Sequence, residues 1–155
     1  MKHVDALATL KAYLAEKKLK YTHQRQVVTE VFFDAAAEQL HPTIDELFLR
    51  VKAVDSKIGY ATVYRTIKLF EECKLASPRR FGDNQTRYEP EIPGEHHDHM
   101  ICRECGAIIE FEDDRIEELQ ERVSKELGFT LVDHKMVLFG TPEQDCQITA
   151  CLRSV

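Results

Sequence analysis

Apolar residues recur at helical spacing in four segments of the first half of the chain. Intervals of three and four residues place each set of apolar side chains on one face of a helix. The pattern therefore predicts four amphipathic helices, marked by Leu7, Leu10 and Leu14; by Val27, Val28, Val31 and Phe32; by Ile44, Leu47, Phe48 and Val51; and by Val63, Ile67 and Phe70.

Polar and small residues mark where these helices begin. Thr22 can cap the second helix, and Thr43 with Glu46 forms a capping box for the third, directly after Pro42. Gly59 breaks the pattern between the third and fourth helices, as the turn of a helix-turn-helix would. The fourth helix, called the reading helix below, would then face DNA. The alternative is an ordinary helical bundle with a solvated face.

The exposed face of the reading helix carries Thr62, Tyr64 and Arg65. A hydroxyl, an aromatic ring and a guanidinium can contact phosphate, a thymine methyl group and guanine, respectively. These three side chains are therefore predicted to bind DNA.

Two short strands are predicted after the reading helix, over residues 76–81 and 85–88, with Gly82, Asp83 and Asn84 between them. Such a hairpin would be the wing of a winged helix-turn-helix. Its three arginines can lie along a phosphate backbone, or they can be solvated charges that protect a strand edge: Arg79, Arg80 and Arg87.

Charge divides the chain into two unlike parts. The chain of 155 residues has a net charge of −6, yet residues 1–88 carry 15 Lys and Arg against 11 Asp and Glu, while residues 89–155 carry 6 against 16. Local charge governs binding over about 10 Å, so a basic first part suits DNA and an acidic second part suits cations. Pro90, Pro93 and Gly94 mark the boundary, which predicts domains at 1–88 and 95–155 joined by a hinge at 89–94.

Composition also bears on location. No apolar run approaches the roughly 20 residues that span a bilayer, and residues 1–5 do not begin a signal peptide. We therefore expect a cytoplasmic protein with no membrane partner. Five cysteines in such a chain indicate metal binding or redox chemistry rather than a disulfide framework.

Residues 96–106 read His-His-Asp-His-Met-Ile-Cys-Arg-Glu-Cys-Gly and hold the densest group of potential metal ligands in the chain. On an extended strand, His97 and His99 face one side, whereas Asp98 and the preceding His96 face the other. One strand can thus serve two metal sites. Cys102 and Cys105, spaced C-x-x-C, can both bind one tetrahedral ion.

These motifs together resemble the ferric uptake regulator family of bacterial metalloregulators, over nearly the whole chain. The resemblance rests on Ala61-Thr-Val-Tyr-Arg65, Arg87-Tyr-Glu89, His96-His-Asp-His99, Cys102-x-x-Cys105-Gly106 and Ile109-Glu110-Phe111. It implies an α+β fold, with an N-terminal winged helix-turn-helix domain followed by a small α/β dimerisation domain. It also implies a homodimer, or alternatively a tetramer, that represses transcription at AT-rich palindromic DNA operators when Fe²⁺ is bound.

The resemblance also implies site residues. The regulatory metal site, for Fe²⁺ with Mn²⁺ or Zn²⁺ as substitutes, would consist of His41, Glu89, His97, His99 and Glu110. A second metal site would consist of His96, Asp98, Glu117 and His134, although Glu117 lies on an acidic helix over residues 113–127 that can equally be a solvated face. The predicted DNA-binding residues are Lys20, Arg25, Thr62, Tyr64 and Arg65, with Lys20 in the minor groove.

A structural zinc site departs from the family pattern. Pro142 and Asp145 stand where family members that hold this zinc have a second C-x-x-C, and Cys146 and Cys151 follow later in the chain. Two alternatives are open. Cys146 and Cys151 complete a four-cysteine zinc site with Cys102 and Cys105, or they are idle thiols.

Other functions are weighed against this interpretation. A C-x-x-C thiol oxidoreductase would place the motif at the start of a helix, and a zinc hydrolase would need an open coordination position. Within the family, peroxide-sensing members typically have aspartates at the positions of Glu89 and Glu110, and zinc-responsive members typically add a cysteine to the regulatory site. Iron-responsive regulation is therefore favoured over the peroxide- and zinc-responsive alternatives, and a manganese-responsive member of the family is kept as a further alternative.

Overall fold

The computed structural model describes residues 3–91 and 96–143, with side chains from Ala6 onward. The described chain falls into two compact units, which belong to Met1–Glu95 and to His96–Val155. Its elements are, in order, α1 (His3–Glu16), α2 (His23–Ala37), α3 (Ile44–Val54), α4 (Tyr60–Glu72), β1 (Ala76–Arg79), β2 (Arg87–Pro90), β3 (Asp98–Cys102), β4 (Ile108–Phe111), α5 (Asp114–Glu126) and β5 (Val137–Gly140).

Helices α2 and α3 begin where their capping residues predict. The Thr22 hydroxyl accepts a hydrogen bond from the Arg25 backbone N–H. Thr43 and Glu46 form a capping box, in which the Thr43 hydroxyl accepts from the Glu46 N–H and the Glu46 carboxylate accepts from the Thr43 N–H. Each cap satisfies backbone donors that the first turn of a helix leaves unpaired.

The apolar faces of the four helices form one core in the first unit. Phe32 and Phe70 are fully buried, with ring centroids 5.6 Å apart. The core also takes in Leu75, Ala76 and Tyr88 from the segment that carries the hairpin. The predicted helices are confirmed, and their packing holds α3 and α4 as the two helices of a helix-turn-helix joined by residues 55–59.

Strands β1 and β2 pair antiparallel, with Ala76 opposite Pro90 and Arg79 opposite Arg87. The predicted position of the second strand, residues 85–88, was wrong by two residues. Asp83 explains the difference, because its carboxylate accepts the Gln85 N–H and thereby keeps Gln85 in the turn. Glu89 is consequently part of the sheet rather than the first residue after it.

The second unit contains a three-stranded sheet in the order β4-β3-β5. β3 is antiparallel to β4 and parallel to β5. Helix α5, which begins after the capping carboxylate of Asp113, buries none of its residues. The predicted α+β fold class is thus confirmed. None of the described helices is both long enough and apolar enough to cross a membrane.

Candidate metal centres and nucleic-acid interface

In the first unit, two predicted ligands of the regulatory site lie side by side. His41 immediately precedes the Pro42-Thr43 entry to α3, and Glu89 lies on β2. His41 Nε2 is 3.5 Å from Glu89 Oε2, and the two side chains are only 2% and 3% exposed. Two donors that each bind a metal at about 2.1 Å, with an angle near the tetrahedral value, are about 3.4 Å apart. The observed separation fits a shared ion.

The hairpin fixes the backbone of His41. The Arg87 guanidinium donates a hydrogen bond to the His41 carbonyl (2.9 Å), and the Tyr88 N–H donates one to the Pro42 carbonyl (3.0 Å). The edge of the His41 ring packs against Phe81, with ring centroids 5.4 Å apart. The imidazole is therefore held by contacts that need no metal, which lowers the entropic cost of binding one.

Two hairpin arginines have partners that sequence reasoning missed. Arg79 Nε donates to Glu89 Oε1 at 2.5 Å. Arg87 forms ion pairs with Asp83 (2.9 Å) and Glu46 (3.0 Å). Neither arginine is simply a solvated edge charge, as the sequence allowed. Both lie on the same face of the hairpin as Glu89, because residues 77, 79, 87 and 89 share a face in the observed register.

In the second unit, the other three predicted regulatory ligands form their own group. His99 on β3 is directly opposite Glu110 on β4. His97 Nε2 is 3.6 Å from Glu110 Oε1, and the rings of His97 and His99 are 5.1 Å apart. The structure therefore brings His97, His99 and Glu110 together on one face of the β3–β4 pair. Imidazole and carboxylate donors of this kind suit Fe²⁺, Mn²⁺ or Zn²⁺.

The four residues predicted for the second metal site also come together. Asp98 is the first residue of β3 and His96 lies two residues before it, Glu117 comes from the first turn of α5, and His134 comes from the segment before β5. Their ligand atoms all lie within 4.8 Å of one another. The separations are 3.3 Å (His96–Asp98), 3.9 Å (His96–Glu117), 3.7 Å (His134–Asp98) and 3.4 Å (His134–Glu117).

Burial supports a metal at this second group. Asp98 is 1% exposed, and a buried carboxylate needs a compensating positive charge. Glu117 Oε1 and His134 Nε2 are buried with no hydrogen-bond partner among the described residues. The four separations are close to those between the ligands of a tetrahedral ion. A two-carboxylate, two-imidazole site therefore fits the observed side chains without rearrangement.

Cys102 and Cys105 occupy a tight turn between β3 and β4. The Gly106 N–H donates to the Cys102 carbonyl (2.9 Å), and Gly106 has a φ of +72°, which glycine adopts readily. Hydrogen bonds from the backbone N–H groups of Cys105 and Glu104 lower the pKa of the Cys102 thiol. This favours the thiolate, which is the form that binds metal.

The rest of the four-cysteine prediction stays open. Cys146 and Cys151 lie outside the described residues. The chain after Cys105 continues into β4 and not into a helix, which argues against the thiol-oxidoreductase alternative.

The predicted DNA contacts all lie in the first unit. On α4, Tyr64 is 44% exposed, Arg65 is exposed and Thr62 is half-buried. The Lys68 ammonium lies 5.7 Å from the centre of the Tyr64 ring, and Arg65 Nε donates to the Ala61 carbonyl (3.1 Å). Both contacts hold the side chains along the outer face of the helix. Tyr64 and Arg65 are therefore accessible to a partner on this face of the helix.

The remaining predicted contacts lie at the entry to α2. Lys20 is exposed, and the half-buried Arg25 donates a hydrogen bond to the Lys20 carbonyl. Arg25 thus braces the backbone that carries Lys20. The structure gives Arg25 a local structural role alongside the predicted contact with DNA.

Comparisons with known proteins identify one family. The model of the "Ferric uptake regulator family" matches residues 16–139. The ferric uptake regulation protein of Rhizobium leguminosarum bv. viciae is 43% identical over 138 residues, which cover 89% of this chain and 94% of that protein.

Solved structures give the same family. A zinc-bound manganese uptake regulator is 43% identical, with a TM-score of 0.68 and coverage of 86% of this chain and 98% of its own. The Helicobacter pylori ferric uptake regulator, described as having three functional metal binding sites, is 30% identical, with a TM-score of 0.82 and 96% coverage of both chains.

Proposed function

Because the chain belongs to the ferric uptake regulator family, whose members are metal-responsive transcriptional regulators and not enzymes, we propose that it represses transcription when it binds Fe²⁺. The zinc-hydrolase and thiol-oxidoreductase alternatives are thereby excluded. The proposed regulatory ligands are His41 and Glu89 of the first unit and His97, His99 and Glu110 of the second.

One observation carries the proposal. Each unit holds its own share of the ligands at separations that suit a common ion, 3.5 Å for His41 and Glu89 and 3.6 Å for His97 and Glu110. The donors are three imidazoles and two carboxylates, which form a site of borderline hardness with room for five or six ligands. The bound ion supplies a positive charge that these donors share.

In this proposal metal controls DNA binding because the proposed ligands belong to both units of the chain. An ion that takes ligands from both units restricts how the units are oriented, and DNA binding by α4 depends on that orientation. Metal binding then favours the DNA-binding arrangement only to the extent that this arrangement binds metal more tightly. Reciprocity requires that DNA tighten metal binding by the same factor.

The proposed DNA target is an AT-rich palindromic operator, bound by a homodimer in the cytoplasm. Family members are DNA-binding dimers, and two reading helices related by a twofold axis match the symmetry of a palindrome. The apolar stripe of α5, defined by Ile116, Leu119 and Val123 together with the C-cap residue Leu127, supports a second copy of the chain as its partner. Leu119, Val123 and Leu127 are 48%, 43% and 69% exposed in one chain.

The other ligand groups have a proposed structural role. His96, Asp98, Glu117 and His134 would bind Zn²⁺ or Fe²⁺ and fasten α5 to β3. Cys102 and Cys105, with Cys146 and Cys151 if these reach the turn, would hold a zinc ion that stabilises the second unit. Metal binding free energy at such sites contributes directly to folding.

Mn²⁺ is the second candidate for the regulatory metal. It is favoured by the 43% identity with a zinc-bound manganese uptake regulator. The same donor set binds Fe²⁺ more tightly than Mn²⁺ by the general metal series, so intrinsic affinity favours iron. The free concentrations of the two metals in the cell would decide between them.

Operator binding in metal buffers tests the proposal. Duplexes selected from a random pool with Fe²⁺-loaded protein would be titrated anaerobically against wild type, His97→Ala and Glu89→Ala, with Fe²⁺, with Mn²⁺ and without metal. A coupling of about 1–3 kcal/mol predicts that metal raises wild-type DNA affinity by roughly 5–150-fold. The two variants should remain dimeric and gain little.

Arg65→Ala is the matched control, because it should weaken DNA binding at every metal concentration and leave metal affinity unchanged. Lys20→Ala should reduce the preference for AT-rich flanks. If His97→Ala responds to metal as wild type does, the regulatory site is elsewhere, and His96→Ala and His134→Ala become the variants to compare.

A further inference from the structure

The two oxygens of the Glu89 carboxylate face different partners. Oε1 accepts the hydrogen bond from Arg79 Nε at 2.5 Å, whereas Oε2 lies 3.5 Å from His41 Nε2. Glu89 is 3% exposed and the Arg79 side chain 25% exposed. Since one oxygen is taken by the guanidinium, only the other is directed at the imidazole.

The strand register explains why Arg79 turns to Glu89. Arg79 lies directly opposite Arg87, and like charges in that position repel each other. Arg87 is neutralised by Asp83 and Glu46. Arg79 instead reaches diagonally across the hairpin to Glu89, which brings its charge into the same face as the proposed metal ligands.

We propose that Arg79 is a positioning residue of the regulatory metal site, which holds Glu89 so that Oε2 alone binds the ion. The proposal rests on the proposed function, because it takes Glu89 as a ligand. Metal-binding carboxylates are commonly fixed by a hydrogen bond from a residue behind them, and loss of that residue typically weakens metal binding by 10–100-fold. Arg79 Nε occupies that place behind Glu89.

Charge works against this positioning effect. The guanidinium repels a divalent ion, so replacing Arg79 by a neutral residue removes a repulsion as well as a hydrogen bond. A single substitution would mix the two effects. A pair of neutral substitutions separates them, provided that one keeps a donor at the position of Nε and the other does not.

Glutamine and methionine form that pair. The side-chain nitrogen of Gln is as many bonds from the backbone as Arg Nε, so Arg79→Gln keeps a donor to Oε1 without the charge. Arg79→Met has nearly the same length with neither donor nor charge. A difference in metal affinity between the two variants therefore reports chiefly on the hydrogen bond, and Arg79→Ala, which has no sulfur, checks the Met result.

The experiment measures Co²⁺ binding by competition with a chromogenic chelator, together with the Co²⁺ absorption spectrum. Because the chain has more than one proposed metal site, the dissociation constant is taken from the binding step that Glu89→Ala weakens. We expect the dissociation constant of Arg79→Met to exceed that of Arg79→Gln by about 10-fold or more, with an altered spectrum only in Arg79→Met. Metal-free Arg79→Met should unfold at a lower temperature than Arg79→Gln, because it leaves the buried Glu89 carboxylate without its donor; the Co²⁺ spectrum, measured where both variants are folded, reports separately on the ligand geometry. Arg79→Ala serves as a second variant without a donor should Arg79→Met fold poorly.

Arg80→Met is the control for the charge of the hairpin. Arg80 is exposed and directly follows Arg79, so its replacement should leave Co²⁺ affinity as in wild type. Equal dissociation constants for Arg79→Gln and Arg79→Met would overturn the positioning role. If Glu89→Ala itself binds Co²⁺ as wild type does, the proposed regulatory site is wrong instead.

Discussion

The two units differ in what they bury. The first unit buries large apolar side chains, such as Phe32, Phe70 and Ile67, to 0% exposure. In the described part of the second unit the buried apolar residues are few, Ile101 at 6% and Cys102 and Ala107 at 5%, and they lie beside buried Asp98 and His99, while Phe129 and Val132 are 71% and 94% exposed. Helix α5 contributes no buried residue to the single chain.

This difference separates two sources of stability. Apolar burial stabilises the first unit by roughly 25 cal/mol per Å² removed from water. The described residues of the second unit bury only Ile101, Cys102 and Ala107 as apolar side chains, and small domains with little apolar burial rely on metals or oligomerisation. We therefore expect its fold to depend on bound metal and on a second copy of the chain.

The largest expected effect comes from the core of the first unit. Phe70→Ala should lower the free energy of unfolding by about 3–5 kcal/mol, because it removes a buried ring and leaves a cavity. Tyrosine fluorescence during denaturant unfolding measures this directly, since all five tyrosines lie at or before Tyr88. Tyr64→Ala on the exposed face of the same helix is the control and should cost far less. Similar losses for both variants would contradict the assignment of the core.

Metal removal should act chiefly on the second unit. An ion at 100 times its dissociation constant stabilises the folded state by about 2.7 kcal/mol. Chelation should therefore reduce amide-exchange protection in β3 and α5 and leave α2 and α4 protected. His134→Ala should reproduce part of this loss with Zn²⁺ present. An equal loss of amide-exchange protection in both units would contradict the expected difference in their dependence on metal.

Dimerisation should depend on the apolar stripe of α5. Leu119→Ala should raise the dimer dissociation constant by about 10-fold, which corresponds to about 1.4 kcal/mol. Glu118→Ala, one residue earlier on the same helix, is the matched control and should leave the constant unchanged. Sedimentation velocity across a concentration series measures both. Unchanged association of Leu119→Ala would place the dimer contact on another surface.

The smallest effect is expected at the start of α5. Hydrogen bonds from the Arg115 side chain and backbone lower the pKa of Asp113 to about 2 from an ordinary value of 3.8. A carboxyl group whose pKa is lowered in the folded state stabilises that state at pH values above its ordinary pKa. That contribution is lost as the pH falls through the folded-state pKa. Asp113→Ala should therefore destabilise α5 slightly at neutral pH, and its difference from wild type should fade between about pH 4 and pH 2. Helix content of wild type and Asp113→Ala, measured by circular dichroism from neutral pH to pH 2, would show this, and a difference that persists undiminished at pH 2 would contradict it.

Local features were the ones that could be predicted from the sequence. The caps of α2 and α3 at Thr22 and Thr43 involve residues within three positions of one another. The separation of His97 and His99 from His96 and Asp98 follows from the alternation of side chains on one strand. Such features need only the geometry of a single helix or strand, so the order of residues determines them.

Contacts between side chains that are distant in the chain could not be predicted from local sequence patterns. The side chains that meet Asp98 come from α5 and from the segment before β5, and only the family resemblance had indicated Glu117 and His134. The Arg79–Glu89 contact was missed because it depends on the register of β1 against β2, which the Asp83 turn shifts by two residues.

The sequence by itself determined the helices, their caps, the division of charge and the types of ligand on each strand. Only the tertiary structure decided which oxygen of Glu89 faces His41, which arginine lies behind it, and which apolar residues stay exposed. The physical reason is the distance along the chain over which each interaction acts. Periodicity and capping act within a few residues, whereas ion pairs and burial depend on segments that packing brings together.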